Sequence, residues 1–384
     1  MKREMKKEVL AILSHPCLSN YGGCLQAFAL QRLIECEQSD AYLCDYIPND
    51  IRGWYNNKSM RLKSLLVSLV RILGGYIRRF PVSFFSQIKI GRKFLLSVPH
   101  MNVEISNDED FCKSVVHVNK FVVGSDQVWR ASACRSMAYV KLYWLSGVDS
   151  LRRKCSISYA ASFGSDEWEG TPEETEECGR LLREFKAVSV REHSGVKICK
   201  DVFGVDAVQM PDPTLLLHTS DYEKIIDSEK TWLPGNKYVA AYVLDETYGK
   251  AELLQESAEF LNLLLQHLMP HATAKKRRDR FPISVPQWLR LIRDCECFIT
   301  DSFHGCVFAI IFNKPFVCLG NEGRGNARFD TLLGTFGLED RMMTDATPEK
   351  VLQILNTPID WAKVNAIHDA ERERGINFLK ENLT

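Results

Sequence analysis

Residues 295–320, CECFITDSFHGCVFAIIFNKPFVCLG, constrain this chain more than any other stretch. Three short apolar runs, at 297–300, 307–312 and 316–319, are separated by a polar turn and by the breaker at 313–315. They predict a buried strand, a buried helix and a second buried strand, the repeating unit of an α/β fold. The turn at 301–305, DSFHG, carries the groups able to do proton or anion chemistry. In an α/β unit the carboxyl end of a strand faces the ligand crevice. Ser302 can accept from the first free N–H groups of the helix, and an anion can sit on that positive end. His304 would then hang over whatever binds, with Gly305 allowing a tight corner behind it.

At 384 residues the chain is long for one hydrophobic core and suggests two domains of ordinary size. An apolar content of 45% with 26% charged residues excludes a disordered chain. Lys+Arg and Asp+Glu both number 49, so net charge gives no sign of a nucleic-acid partner. The cysteines number 13, an odd count, lie within apolar runs and form no CxxC pair. They read as buried thiols in a reducing compartment, with neither a disulfide framework nor a metal site. The N-terminal apolar run ends at Ser14-His15-Pro16 and reads as a first strand, not a signal peptide. No window is long and apolar enough to span a membrane, and a cytoplasmic protein is the expectation.

Along the chain, apolar strands ending in polar turns recur. The run at 9–13 leads to the loop 14–23, and a helix is predicted over 24–37. Asn20, Gly22 and Gly23 precede that helix as an anion cradle or a tight corner. The run 120–123 ends in Gly124-Ser125-Asp126-Gln127, and 155–164 and 187–195 repeat the layout. Strands and helices alternating in this way predict a doubly wound parallel sheet. Arg191 and Glu192 finish one such strand, either as a surface ion pair or with Arg191 facing a phosphate or carboxylate. Residues 208–217 carry two prolines and read as the crossing to a second α/β set that begins at 238–244. Helices are predicted over 251–268, 284–294 and 360–383, and 271–280 is a basic loop. That loop could hold a pyrophosphate or face solvent. Between Asp50 and Glu104 there is no acidic residue, yet basic residues from Arg52 to Lys93 alternate with leucines at helical spacing. Such a stretch either lies on an anionic membrane surface or packs as a helical insertion with a basic outer face.

With these residues in hand the chain resembles the polysaccharide pyruvyl transferase family. The resemblance rests on NYGGCLQAFAL at 20–30, VGSDQVW at 123–129, SYAASFG at 158–164, SVRE at 189–192, DPTLLL at 212–217, TDSFHG at 300–305 and NKPF at 313–316. Each is weak alone; the ordered set is specific and spans residues 9–340. The segment 51–100 matches no motif of the family.

The resemblance implies an α/β chain of two Rossmann-like domains facing across a cleft, GT-B-like; the charge pattern of 51–103 adds a basic helical insertion in the N-terminal domain. The expected divisions are 1–207 (insertion 51–103), 208–359 and a closing helix at 360–384. It implies transfer of a pyruvyl group from phosphoenolpyruvate to a sugar of a surface polysaccharide, with ketal formation. His304 and Arg191 would be catalytic. Asn20, Gly22, Gly23, Ser125, Asp126, Gln127, Ser302, Phe303, Arg324 and Arg328 are the candidate substrate-binding residues. No metal or other cofactor is expected. The expected partners are phosphoenolpyruvate and a sugar acceptor, free or lipid-linked, with 51–100 able to hold the chain at the inner face of a membrane. The competing readings are a nucleotide-sugar glycosyltransferase on the same architecture and a non-catalytic scaffold of polysaccharide assembly. The sequence gives the first no clear ribose-binding carboxylate after a glycine-rich turn. The second has no need of an Arg191–His304 pair.

Overall fold

The computed structural model describes residues 8–17, 20–35, 40–45, 90–103, 108–130, 141–245, 247–270, 277–320 and 326–383. Most of the basic segment 51–103, part of the basic loop 271–280, and Arg324 lie outside them. Of the segment's cations inside the described residues, Arg92 pairs with Asp45, and Lys93 lies 3.1 Å from Glu229.

The N-terminal half builds a parallel sheet from β1 (Val9–Leu13), β2 (Asp40–Asp45), β3 (His100–Asn102), β4 (Lys120–Val123) and β5 (Ile157–Ser158), in the order β3-β2-β1-β4-β5. Two further strands, β6 (Ser189–Val190) and β7 (Val208–Gln209), form a parallel ladder, and the bridges Ile157–Ala187 and Ala161–Val190 join it to this sheet's edge. The second sheet contains β8 (Tyr238–Tyr242), β9 (Leu264–His267), β10 (Cys297–Thr300), β11 (Phe316–Leu319) and β12 (Met342–Met343), ordered β12-β11-β10-β8-β9 and also parallel. These are the two Rossmann-like units expected. Strands buried on both faces need apolar residues at every position, which is why β8, β10 and β11 read as continuous apolar runs.

Register fixes where the chemistry can sit. Leu13 pairs with Val123, so β1 and β4 end level and their polar turns emerge side by side. Thr300 pairs with Tyr242 and Cys318, placing the 301–305 turn at the matching edge of the second sheet. The units meet through the helix Tyr21–Glu35. Tyr21 stacks on Trp288 with ring centroids 5.5 Å apart, and its hydroxyl donates to the Ile283 carbonyl at 2.7 Å. Leu25 and Ala29 share one apolar core with Phe308 and Trp288.

Two expectations are corrected. The helix predicted over 251–268 stops at Phe260, and Leu264–His267 is β9. Asn262 adopts φ 52°, which breaks the helix, and the following leucines pair with β8. Leucine suits either element, and sheet pairing decided. The first helix begins at Tyr21, so Gly22 and Gly23 lie in its opening turn and not in a loop before it.

The C-terminal helix Trp361–Leu383 crosses back onto the first unit. His368 Nε2–H donates to the Leu215 carbonyl at 2.8 Å, and Arg372 Nε–H to the Leu216 carbonyl at 2.8 Å. Gly375 permits the approach, since a Cβ there would come within 2.5 Å of Leu216 and the Tyr159 hydroxyl. Burial pushes the His368 imidazole below its ordinary pKa, against the opposing pulls of the Leu215 carbonyl and Asp369; Arg372 and His218 reinforce the depression. Its neutral form therefore stabilises the fold fully above the unfolded value of about 6.5, and that contribution is lost as pH falls through the lower folded value. Between pH 7.5 and 5.5 the melting temperature should fall more steeply in the wild type than in His368→Gln. Equal slopes would remove His368 from the pH response.

Candidate functional site

The site forms where the carboxyl ends of β4 and β6 meet the turn after β10. That turn is held by its own side chains. Thr300 Oγ donates to the Tyr242 carbonyl at 2.7 Å and accepts from Ser302 N–H at 3.0 Å. Ser302 Oγ caps the helix Phe303–Ile311 by accepting from Gly305 N–H at 3.3 Å. Asp301 accepts from the N–H groups of Leu244 and Asp245 and from Lys250 Nζ at 2.6, 3.2 and 2.9 Å. Ser302 and Asp301 thus shape the turn, while Phe303 and His304 project from it.

His304 is 5% exposed and wedged against the first unit. A Cβ on Gly22 would stand 2.1 Å from its Cγ and Nδ1, so glycine at 22 is what admits the ring. Its Nε2 lies 3.5 Å from Asp212 Oδ2. Asp212 caps the 3-10 turn Pro213–Leu216, with Oδ1 accepting from Thr214 N–H at 3.0 Å and from its hydroxyl at 2.7 Å. Oδ2 accepts from Arg191 Nη1 at 2.9 Å and from Ser125 Oγ at 3.2 Å. Arg191 reaches Asp126 through Nη2 at 3.4 Å, and its guanidinium lies 4.4 Å over the Phe303 ring. Asn20 Nδ2 donates to the other oxygen of Asp126 at 3.4 Å.

Electrostatics match this geometry. Burial alone would raise the Asp212 carboxyl, but His304, Arg191 and Thr214 outweigh it and hold the group well below the carboxylate range. Against the same burial, Arg191, His15, His304 and Arg328 bring Asp126 to about 2. Burial and the like charge of Arg191 pull Arg328 down to about 10. With the Gln127 amide oriented to satisfy its neighbours, its oxygen accepts from Arg328 Nη1 and Nη2 at 3.2 and 3.1 Å. Asn20 is exposed, and Gln127 and Arg130 keep partial contact with solvent, which marks the mouth of the site.

Nearly all the sequence candidates thus converge. His304, Arg191, Asn20, Ser125, Asp126, Gln127, Phe303 and Arg328 share one network. Gly22 and Gly23 pack against His304 and Asn20, and Ser302 caps its helix. Arg324 lies outside the described residues. The surface ion-pair reading of Arg191–Glu192 is wrong: the two are 2% and 0% exposed. Arg191 pairs with Asp126 and Asp212, and Glu192 accepts from Ser162 Oγ and the N–H groups of Phe163 and Gly164 at 3.1, 2.7 and 3.0 Å. Sequence reasoning missed Asp212, the hub. Its signal was an Asp-Pro-Thr opening, the pattern of a capping carboxylate followed by proline at the first helical position.

The model of the family described as polysaccharide pyruvyl transferase matches residues 20–323. No curated protein matches the chain. Similar solved structures include a co-structure of S. aureus MnaA with UDP, at 12% identity, covering 99% of this chain and 98% of that one, TM-score 0.49. Another is the spinosyn forosaminyltransferase SpnP, at 13% identity, covering 96% and 95%, TM-score 0.48. A third is the glycotransferase of kitacinnamycin, at 12% identity, covering 99% and 100%, TM-score 0.45.

Proposed function

The chain belongs to the polysaccharide pyruvyl transferase family, and from that premise we propose that it moves the pyruvyl group of phosphoenolpyruvate onto two hydroxyls of a sugar in a surface polysaccharide or its precursor. The observation that carries this reading is one buried network, built from both units, that joins His304, Asp212 and Arg191 over the Phe303 ring.

The overall reaction balances without an added reactant. One sugar hydroxyl and then the second form C–O bonds to the enol carbon, the C–O bond to phosphate breaks, and the methylene carbon becomes a methyl group. Two hydroxyl protons leave the diol; one reaches the methylene carbon and the other departs with phosphate. This asks for a group that releases and accepts protons near neutral pH, which an imidazole does. In this scheme His304 is that group, seated against Gly22 with its Nε2 3.5 Å from the Asp212 carboxylate. Cations are also needed for a carboxylate and a departing phosphate, and Arg191 and Arg328 are the buried guanidinia beside the ring. Both acidic partners of Arg191 are held ionised, so Arg191 stays charged and pre-aligned.

The first test is a thermal-shift titration with phosphoenolpyruvate on the wild type and Arg191→Ala, with nucleotide sugars alongside. Ligand that binds only the folded state raises the melting temperature. A saturable rise with phosphoenolpyruvate that is lost in Arg191→Ala is expected. A rise with a nucleotide sugar alone would overturn the donor assignment in favour of a glycosyltransferase.

A further inference from the structure

We propose that Arg374 of the C-terminal helix, acting through Gln209, is a positioning residue for Arg191; its effect on donor binding rests on the reading above, whereas its effect on Arg191 itself does not. Arg191 is the first residue after β6, and β7 runs beside it with Gln209 as its last residue. Gln209 Nε2 donates to the Arg191 carbonyl at 3.1 Å, while Arg191 N–H donates to the Ala161 carbonyl at 3.0 Å. The main chain at Arg191 is therefore gripped on both sides.

Gln209 is in turn held by Arg374. Nη2 donates to Gln209 Oε1 at 2.8 Å, and Nη1 donates to the Gln209 carbonyl. This fork consumes the amide oxygen and leaves Nε2 aimed at Arg191. Arg374 is itself aligned by Glu371, whose oxygens accept from Nε at 3.1 Å and Nη2 at 2.5 Å. Glu371, Gln209 and Arg191 also line one small cavity of about 20 Å³ with Asp212, Phe303 and Arg328. A space of that size leaves little slack: if Gln209 swings away, the guanidinium loses its alignment with Asp212 and Phe303. The last helix of the chain is by this route part of the donor site, although it donates no group to the reaction.

The same helix supplies a matched control. Arg372 bonds the Leu216 carbonyl at 2.8 Å and has no hydrogen bond to Gln209 or Arg191. Arg374→Ala, Gln209→Ala and Arg372→Ala should lower the melting temperature by similar small amounts. Arg374→Lys keeps a cation facing Glu371 but loses the fork on Gln209, and guards against a variant that fails to fold.

The direct readout is the Nε–H resonance of Arg191, assigned by its disappearance in Arg191→Ala. It should move in Arg374→Ala, Arg374→Lys and Gln209→Ala and stay put in Arg372→Ala. The half-saturating phosphoenolpyruvate concentration should rise about fivefold in the first three, the effect of losing one aligned hydrogen bond, and should change more than turnover at saturation does. An unmoved Arg191 signal in Arg374→Ala, or an equal displacement in Arg372→Ala, overturns the proposal. Should phosphoenolpyruvate bind no variant, wild type included, the donor reading fails and the Arg191 resonance still decides the positioning role.

Discussion

Replacing Asp212 with alanine is expected to cost about 3–5 kcal/mol, the usual result of removing one partner from a buried ion pair. The carboxylate has four donors within bonding distance, from Thr214 N–H, the Thr214 hydroxyl, Arg191 and Ser125. Alanine leaves the Arg191 guanidinium buried at 2% exposure with Asp126, 3.4 Å away, as its remaining acidic partner. It also removes the cap of the 3-10 turn on which the C-terminal helix docks. Asp212→Asn should cost less, because its oxygen can still accept from Thr214 while its amide faces Arg191 unfavourably. Urea unfolding of the three proteins checks the order, and a loss under about 1 kcal/mol for alanine would show that Arg191 is stabilised elsewhere. The sign of the acid response follows from the same charges. The Asp212 and Asp126 carboxyls titrate below their unfolded value near 3.9. Their stabilisation is complete above that pH and drains as pH falls through the folded values, about 2 for Asp126. Asp212→Asn should therefore lose stability less steeply below pH 4.

How far this network could be read in advance depends on the kind of signal each residue leaves. β10 and the turn after it were legible because a doubly buried strand tolerates no polar residue until it reaches its ligand end. Arg191 was legible as a strand-end cation, but its partners were not. Asp126 and Asp212 are distant in sequence, and only the bridges Asp126–Ala161 and Ala161–Val190 and the path of 208–217 bring them to one guanidinium. Asp212 sat in a proline-flanked segment that reads as a connection between units, so its capping role concealed its electrostatic one. Gly22 suggested an anion cradle or a tight corner, yet the space it leaves is filled by an imidazole from the other unit. Such inter-unit packing has no local signature. The reverse holds for Leu264–His267, where local leucine content suggested helix and pairing with β8 imposed strand.

The largest effect on activity should come from His304→Ala, with transfer falling by about 10²–10⁴-fold, the range for a lost proton-transfer group. The fold should survive. The imidazole caps no helix, and its loss leaves the Asp212 carboxylate its donors from Thr214, Arg191 and Ser125. Gly22→Ala provides an independent approach to the same ring. Its Cβ would stand 2.1 Å from the imidazole and must displace it, so transfer should drop although no proton-transfer group is removed. In the wild-type background this clash opposes the gain of about 1 kcal/mol that alanine brings to a helix in place of glycine. In a His304→Ala background the ring atoms are gone and only the Cβ of residue 304, 2.5 Å away, still obstructs, so the clash is smaller. Gly22→Ala should thus destabilise the wild type more than it destabilises His304→Ala, a non-additivity that two independent sites do not produce. Melting temperatures of the four proteins, with transfer rates of the three that retain either residue, decide the point. Additive effects on stability would place Gly22 away from His304 in solution. Full transfer by Gly22→Ala would mean that the ring position fixed by the first helix is not the one the reaction uses.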